Sequence, residues 1–270
     1  MIPGQATKIS YRKWDSARTR AVILLIHGLG AHTGRWEAMA EFFRDKGVTS
    51  YAAEFGDVDK PDALAYRSGH FKNYFKGIES IHNSIKKDYP SSPIFLAGES
   101  MGALISFLFA ASNPGLFNGL ICISPAFENR YRVTFRDFFR MFTPLLYNPE
   151  KTHHVPFDSS LCTRDGDYIN RMKEDPGEHR LITSKLILEL LLAEMYARLI
   201  KQEIKIPMLF LIAGEDKIVD IWASKRVFER TIAGDKRLVE FPGMYHALSI
   251  DIGKEKVFEE ISDWMERRIS

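Results

Sequence analysis

Only two cysteines occur among 270 residues, Cys122 inside an apolar run and Cys162 in a polar stretch, so no disulfide framework holds this chain together. With thiols so sparse, cytoplasmic residence is the expectation. Net charge is equally scarce: 37 basic against 35 acidic side chains leave a formal +2, and nothing global draws the chain to nucleic acid. Long hydrophobic runs are missing too. The first apolar run, Ala21 to Ile26, is far too short for a membrane span or a signal core. No repeat or low-complexity segment interrupts the chain. His153-His154 is the most suggestive metal pair, but no Cys, Asp or His stands at ligand spacing, so it reads as a solvated loop and no metal is expected. The stretch Gly28 to Gly34 lacks glycine at the third site of a dinucleotide loop, which removes a nicotinamide role and leaves no expected cofactor.

What remains is 45% hydrophobic and 27% charged, the balance of a globular protein large enough for one α/β domain carrying an insertion. Short apolar runs alternate with amphipathic stretches, the pattern of a mostly parallel sheet wrapped by helices. Strands are expected at Lys8 to Lys13, Ala21 to Ile26, Val48 to Ala53, Ile94 to Ala97, Leu120 to Ser124, Met208 to Ala213 and Arg237 to Phe241. Helical stripes follow from Trp36, Met39, Ala40 and Phe43, from Tyr74, Ile78, Ile81 and Ile85, and from Val257, Ile261 and Trp264. Between Phe127 and about Gln202 no strand can be placed. The expected organisation is therefore a core formed by 1–125 and 203–270, divided by a helical cap or lid at 126–202.

One segment concentrates the chemistry. The buried-strand pattern Ile94-Phe-Leu-Ala97 runs into Gly98-Glu-Ser100-Met-Gly102 and then directly into a helix, the context of a nucleophile elbow. A strand that reverses into a helix within one residue strains Ser100 and projects its hydroxyl, while the flanking glycines let the two elements close up. A serine hydroxyl is a poor nucleophile near neutral pH, so it needs a base and a carboxylate to orient that base. His246, in Gly243-Met-Tyr-His246, is the only histidine after His179. Glu215, Asp216 and Asp220 share the loop after Met208 to Ala213. Asp216 stands in the turn immediately after the strand and is the preferred acid, whereas Asp220 reads as the N-cap of a helix starting at Ile221. Oxyanion donors are expected at the backbone amides of Met101, at a helix start, and of Leu29, in His27-Gly-Leu-Gly30. His27 itself reads as a packed turn residue.

These residues together resemble the α/β-hydrolase superfamily and, within it, the serine hydrolases grouped with monoacylglycerol lipases and lysophospholipases. His27-Gly-Leu-Gly-Ala-His-Thr-Gly-Arg-Trp36, Gly98-Glu-Ser-Met-Gly102, Gly214-Glu-Asp216 and Gly243-Met-Tyr-His246 carry the resemblance in the family's order. It implies hydrolysis of lipophilic esters through an acyl-enzyme, without cofactor, with thioester cleavage or acyl transfer as the alternative use of the same groups. A non-catalytic ligand receptor on the same fold is the reading from a different class. Arg35 matches the family's arginine near the oxyanion loop, and the resemblance makes it a substrate-binding candidate. Three positions depart from the pattern: Glu54-Phe55-Gly56-Asp57 replaces an Asp-x-Arg-Gly turn, Ala31 stands where animal monoacylglycerol lipases carry an acid, and Ser249 stands where they carry a second histidine.

In the inserted stretch Phe127, Tyr131, Phe135, Phe138, Phe139, Phe142, Leu145 and Leu146 alternate with Arg130, Arg132, Arg136 and Arg140. Thr183 to Ile200 carries Leu186, Ile187, Leu190, Leu191, Met195 and Ile200, a wide apolar stripe for a surface helix. Two uses fit: an acyl pocket walled by Phe127, Phe135, Phe138, Phe139 and Leu190 with transient contact to a lipid interface, or glue between cap and core. Both can hold at once.

Overall fold

The computed structural model describes residues 10–55, 71–130, 134–154, 158–178 and 181–269. Lys8 and Ile9 of the first expected strand, Gly56 and Asp57 of the unusual turn, and Tyr131 and Arg132 lie outside them. Seven strands form one sheet: β1 (Ser10–Trp14), β2 (Ala21–Ile26), β3 (Val48–Glu54), β4 (Ile94–Glu99), β5 (Gly119–Ile123), β8 (Met208–Ala213) and β9 (Lys236–Phe241). Their spatial order is β1-β3-β2-β4-β5-β8-β9, with β1 antiparallel to β3 and every other pairing parallel. This is the α/β-hydrolase architecture.

Period-two alternation explains why the central strands are apolar throughout. Val22, Leu24 and Ile26 of β2 face one core, while Ala21, Ile23 and Leu25 face the other. Helices α1 (Glu37–Asp45) and α8 (Lys254–Glu266) cover the second face through Met39, Phe43, Phe258 and Trp264. On the first face lie α2 (Phe71–Asp88), α3 (Met101–Ser112) and α7 (Ile221–Arg230). Helix α3 is buried almost all round, as its uniformly apolar sequence dictates.

Between β5 and β8 the chain forms α4 (Phe135–Phe142), α5 (Gly166–Glu174) and α6 (Ser184–Leu199). It also forms two short strands that the sequence did not betray, β6 (Thr152–His154) and β7 (Leu181–Thr183), paired antiparallel. At three residues each they are too short for alternation to show. They also correct the reading of the histidine pair: His153 is buried and bonds to Ser184 Oγ at 2.7 Å, and only His154 is exposed. Leu186, Ala193 and Ala197 of α6 join the core on the first face of the sheet.

Candidate active site

Ser100 joins β4 to α3 at φ 58° and ψ −120°, a conformation strained for any side-chain-bearing residue. The flanking glycines make it attainable. A Cβ at Gly98 would fall 2.3 Å from the Gly102 carbonyl oxygen, and one at Gly102 would fall 2.1 Å from that of Ile26. Neither position admits a side chain without moving backbone.

Loops leaving the same carboxyl edge of the sheet bring the partners to Ser100, as expected for a parallel sheet. The His246 ring is buried, with Nε2 2.9 Å from Ser100 Oγ and Nδ1 2.7 Å from Asp216 Oδ2. Because the carboxylate accepts from Nδ1–H, Nε2 is left as the acceptor for the serine hydroxyl. The second oxygen of Asp216 accepts from the Ile218 and Val219 amides at 2.9 Å each, which locks its rotamer. Burial alone would raise the Asp216 carboxyl, but the His246 charge and these hydrogen bonds hold it below the usual carboxylate range. For His246 burial works downward, and Asp216 overrides it to raise the imidazole. The two opposite shifts describe one pair that favours an imidazolium beside a carboxylate. Asp220 is the helix cap: its Oδ1 accepts from the Trp222 and Ala223 amides at the start of α7.

Met101 supplies the first N–H of α3, which no carbonyl within that helix can accept. The amides of Ala103 and Leu104 turn back to the Ser100 carbonyl. Leu29 lies in the loop after β2, and Gly28 beside it is so close to Ser100 that a Cβ there would stand 3.2 Å from Ser100 Cβ. That loop is anchored from below by Glu54, whose Oε2 accepts from the Thr33 amide at 3.0 Å and whose Oε1 lies 3.5 Å from His27 Nε2. Burial works to raise the Glu54 carboxyl, but His27 and Thr33 outweigh it and hold it at about 2. His27, with its Nδ1–H on the Gly28 carbonyl at 2.9 Å, is thus a built-in turn residue.

The expected substrate-binding residues are placed differently from one another. Arg35 is buried, but its guanidinium is taken bidentately by Glu178, Nε to Oε1 at 2.8 Å and Nη2 to Oε2 at 2.6 Å. A buried cation needs an anion, and here the chain supplies its own. Phe127 belongs to the sheet's core, edge-on to Phe107 at 5.2 Å and stacked on Phe210 at 5.9 Å. It is wholly buried and so walls no open pocket. Phe135, Phe138 and Phe139 are 80%, 50% and 52% exposed and pack on one another and on Phe142, because α4 turns its apolar face outward. Leu190 is half-buried against the core of the first sheet face.

The inserted stretch holds the loops of Asp216 and His246 through contacts that the sequence had not announced. Arg130 donates to the Asp216 carbonyl at 2.6 Å, and its amide to that of Ile218 at 2.8 Å. The Ala247 amide donates to the Cys162 carbonyl at 2.8 Å, and wholly buried Asp251 accepts from Tyr245 N, Arg164 N and Arg164 Nε at 2.8, 2.7 and 2.9 Å. His32 reaches Asp175 at 2.9 Å beside the Arg35–Glu178 pair. Each link spans a long separation along the chain, and no local pattern announces it. Among the described residues no group of three metal-ligating side chains converges, and no helix is long and apolar enough to cross a membrane.

Residues 17–253 match the family model described as serine aminopeptidase, S33. The chain is 27% identical over 267 residues to monoglyceride lipase of Homo sapiens, covering 95% of this chain and 86% of that protein. It is 26% identical over 251 residues to phospholipase YtpA of Bacillus subtilis, covering 91% and 95%. Among solved structures, the monoacylglycerol lipase of Paleococcus ferrophilus superposes with a TM-score of 0.81 at 25% identity, over 95% of this chain and 98% of that one.

Proposed function

The chain belongs to the serine aminopeptidase S33 family of α/β hydrolases and is a serine hydrolase resembling monoglyceride lipase; from that premise we propose that it cleaves lipophilic carboxylic esters of the monoacylglycerol or lysophospholipid kind, with Ser100, His246 and Asp216 as its catalytic residues. One observation carries the reading: a strained serine at a helix N-terminus, 2.9 Å from an imidazole that is itself 2.7 Å from a buried carboxylate. Ser100 Oγ attacks the ester carbonyl as its proton passes to His246 Nε2. The carbonyl π pair moves onto oxygen, and the Met101 and Leu29 amides stabilise that charge. Collapse expels the alcohol, which takes the proton from His246. Water then loses a proton to His246, attacks the acyl-Ser100 carbonyl, and releases the acid with Ser100 restored. Asp216 keeps the imidazole in the right tautomer and stabilises it when charged.

Residues 126–202 act as a cap, and the outward phenylalanines of α4 favour lipophilic substrates. At about 0.8 kcal/mol per buried methylene, acyl chains of medium or greater length gain most from such a surface. Arg136 and Arg140 on the same helix suit transient contact with a lipid interface. Free, buried Cys122 and Cys162 fit a reducing, cytoplasmic setting. The deciding experiment measures hydrolysis of aryl esters from two to sixteen carbons by the wild type and by Ser100→Ala. Turnover rising with chain length and abolished by the substitution supports the assignment. Rates that peak at acetate refute the lipophilic preference, and turnover that survives the alanine refutes the mechanism.

A further inference from the structure

The buried carboxyl group immediately before the nucleophile has no part in the scheme above, yet its surroundings are constructed in detail. Glu99 closes β4 and, by strand alternation, shares the face of Ala97. That face is the core into which Met244 and Leu248 of the His246 loop also pack. Glu99 is 5% exposed, and both its oxygens meet one residue of that loop. Oε1 accepts from the Ser249 amide at 3.0 Å and Oε2 from the Ser249 hydroxyl at 2.8 Å. Ser249 is wholly buried. Without Glu99 its amide and hydroxyl would lose these partners inside the protein, a cost large enough to shift the loop.

Further ties on the His246 loop run to other parts of the chain, among them Ala247 N to the Cys162 carbonyl and Glu215 N to the Met244 carbonyl. Among the described residues, the Glu99 tie alone ends on the residue that immediately precedes Ser100. We propose, on the basis of the catalytic reading above, that Glu99 is a positioning residue that sets the distance between nucleophile and base by bracing the His246 loop directly against the elbow. The brace links residue 99 to residue 249, each within three positions of a reacting side chain. Backbone drift in either loop is therefore resisted where the Ser100-to-His246 contact is made. Burial pushes the Glu99 carboxyl up, against the pull of the Ser249 bonds.

The test is kinetic and counted per active site, with functional Ser100 titrated by a fluorophosphonate. Glu99→Leu is expected to lower kcat roughly 10- to 100-fold with KM nearly unchanged, the scale of a misplacement approaching an ångström. Glu99→Gln preserves an acceptor for the amide and offers its NH2 to the hydroxyl oxygen, and is expected to keep kcat within about threefold of wild type. Ser249→Ala removes one bond of the two and is expected to lower kcat a few-fold, which decides the matter if the leucine variant does not fold. A per-site kcat unchanged in Ser249→Ala and Glu99→Leu, or a glutamine as damaging as leucine, overturns the brace. Wild-type turnover that does not depend on Ser100 overturns the catalytic reading instead. The rate of Ser100 phosphonylation then reads the same brace without any ester.

Discussion

Asp251 offers a severe test of the packing around the base, because the conservative replacement is expected to fail. Its Oδ1 accepts from Thr163 Oγ1 at 3.0 Å and Arg164 N at 2.7 Å, and its Oδ2 from Arg164 Nε at 2.9 Å and Tyr245 N at 2.8 Å. Arg164 N, Arg164 Nε and Tyr245 N can only donate, whereas the Thr163 hydroxyl can turn to accept. In Asp251→Asn one oxygen becomes an NH2: on the Thr163 side it faces the Arg164 amide and loses that bond, and on the other side it loses both the Arg164 Nε and Tyr245 N bonds. Hydrogen bonds to a charged group are worth about 1.5–3 kcal/mol each. The less costly placement loses the Arg164 amide bond and weakens the other three by removing the charge, while the 34% exposed Arg164 side chain recovers part of its share in water, a net cost of about 3 kcal/mol. With a urea m-value of about 3 kcal/mol/M for a chain this size, the unfolding midpoint falls by roughly 1 M. The bond to the Tyr245 amide, next to His246, loses its charged acceptor in the same step, so per-site kcat falls as well. A variant with the wild-type midpoint and wild-type kcat would refute the claim that a full carboxylate is required there.

Asp216→Asn leaves a side chain of the same shape but offers the wrong partner to Nδ1, and kcat should fall about 10⁴-fold with Ser100 still present, as steady-state kinetics will show. The pH profile of kcat/KM in the free enzyme should lose activity on the acid side with a midpoint above the ordinary imidazole range. Only neutral His246 accepts the serine proton, and Asp216 overcomes the opposing effect of burial to raise the imidazole; a midpoint below that range would contradict the pairing. Glu54, held at about 2 by His27 and Thr33 against burial, contributes stability that is present above its unfolded value and lost as pH falls toward 2. Glu54→Gln should therefore unfold more easily than wild type at neutral pH, with the gap closing in acid denaturation curves. Replacing Phe135, Phe138 and Phe139 together by serine should leave Tm within a few degrees, because these rings are already exposed, while reducing sedimentation with anionic vesicles and turnover of long-chain esters; a large drop in Tm would return them to a packing role.

Much was legible before any coordinate because the signals are local. The apolar runs at Ala21 to Ile26, Ile94 to Ala97 and Met208 to Ala213 report strands buried on both faces, and the glycines around Ser100 report a turn that excludes side chains. Asp220 announced a helix start because a cap needs only the next three amides. The residues misread or overlooked share another physics. The pairing of Arg35 with Glu178, distant in the chain, had no local signal, and Phe127 looked like a pocket wall until Phe107 and Phe210 enclosed it. The contacts of Glu99, Arg130 and Asp251 leave no mark in the local sequence, since each acts through partners chosen by the fold. The sequence by itself therefore determined the succession of the sheet strands along the chain and the chemical types at the ends of β4, β8 and β9, because these follow from hydrophobic period and turn sterics over a few residues. Only the tertiary structure decided which buried polar group meets which, because each must find a partner and the fold alone sets who is within 3 Å.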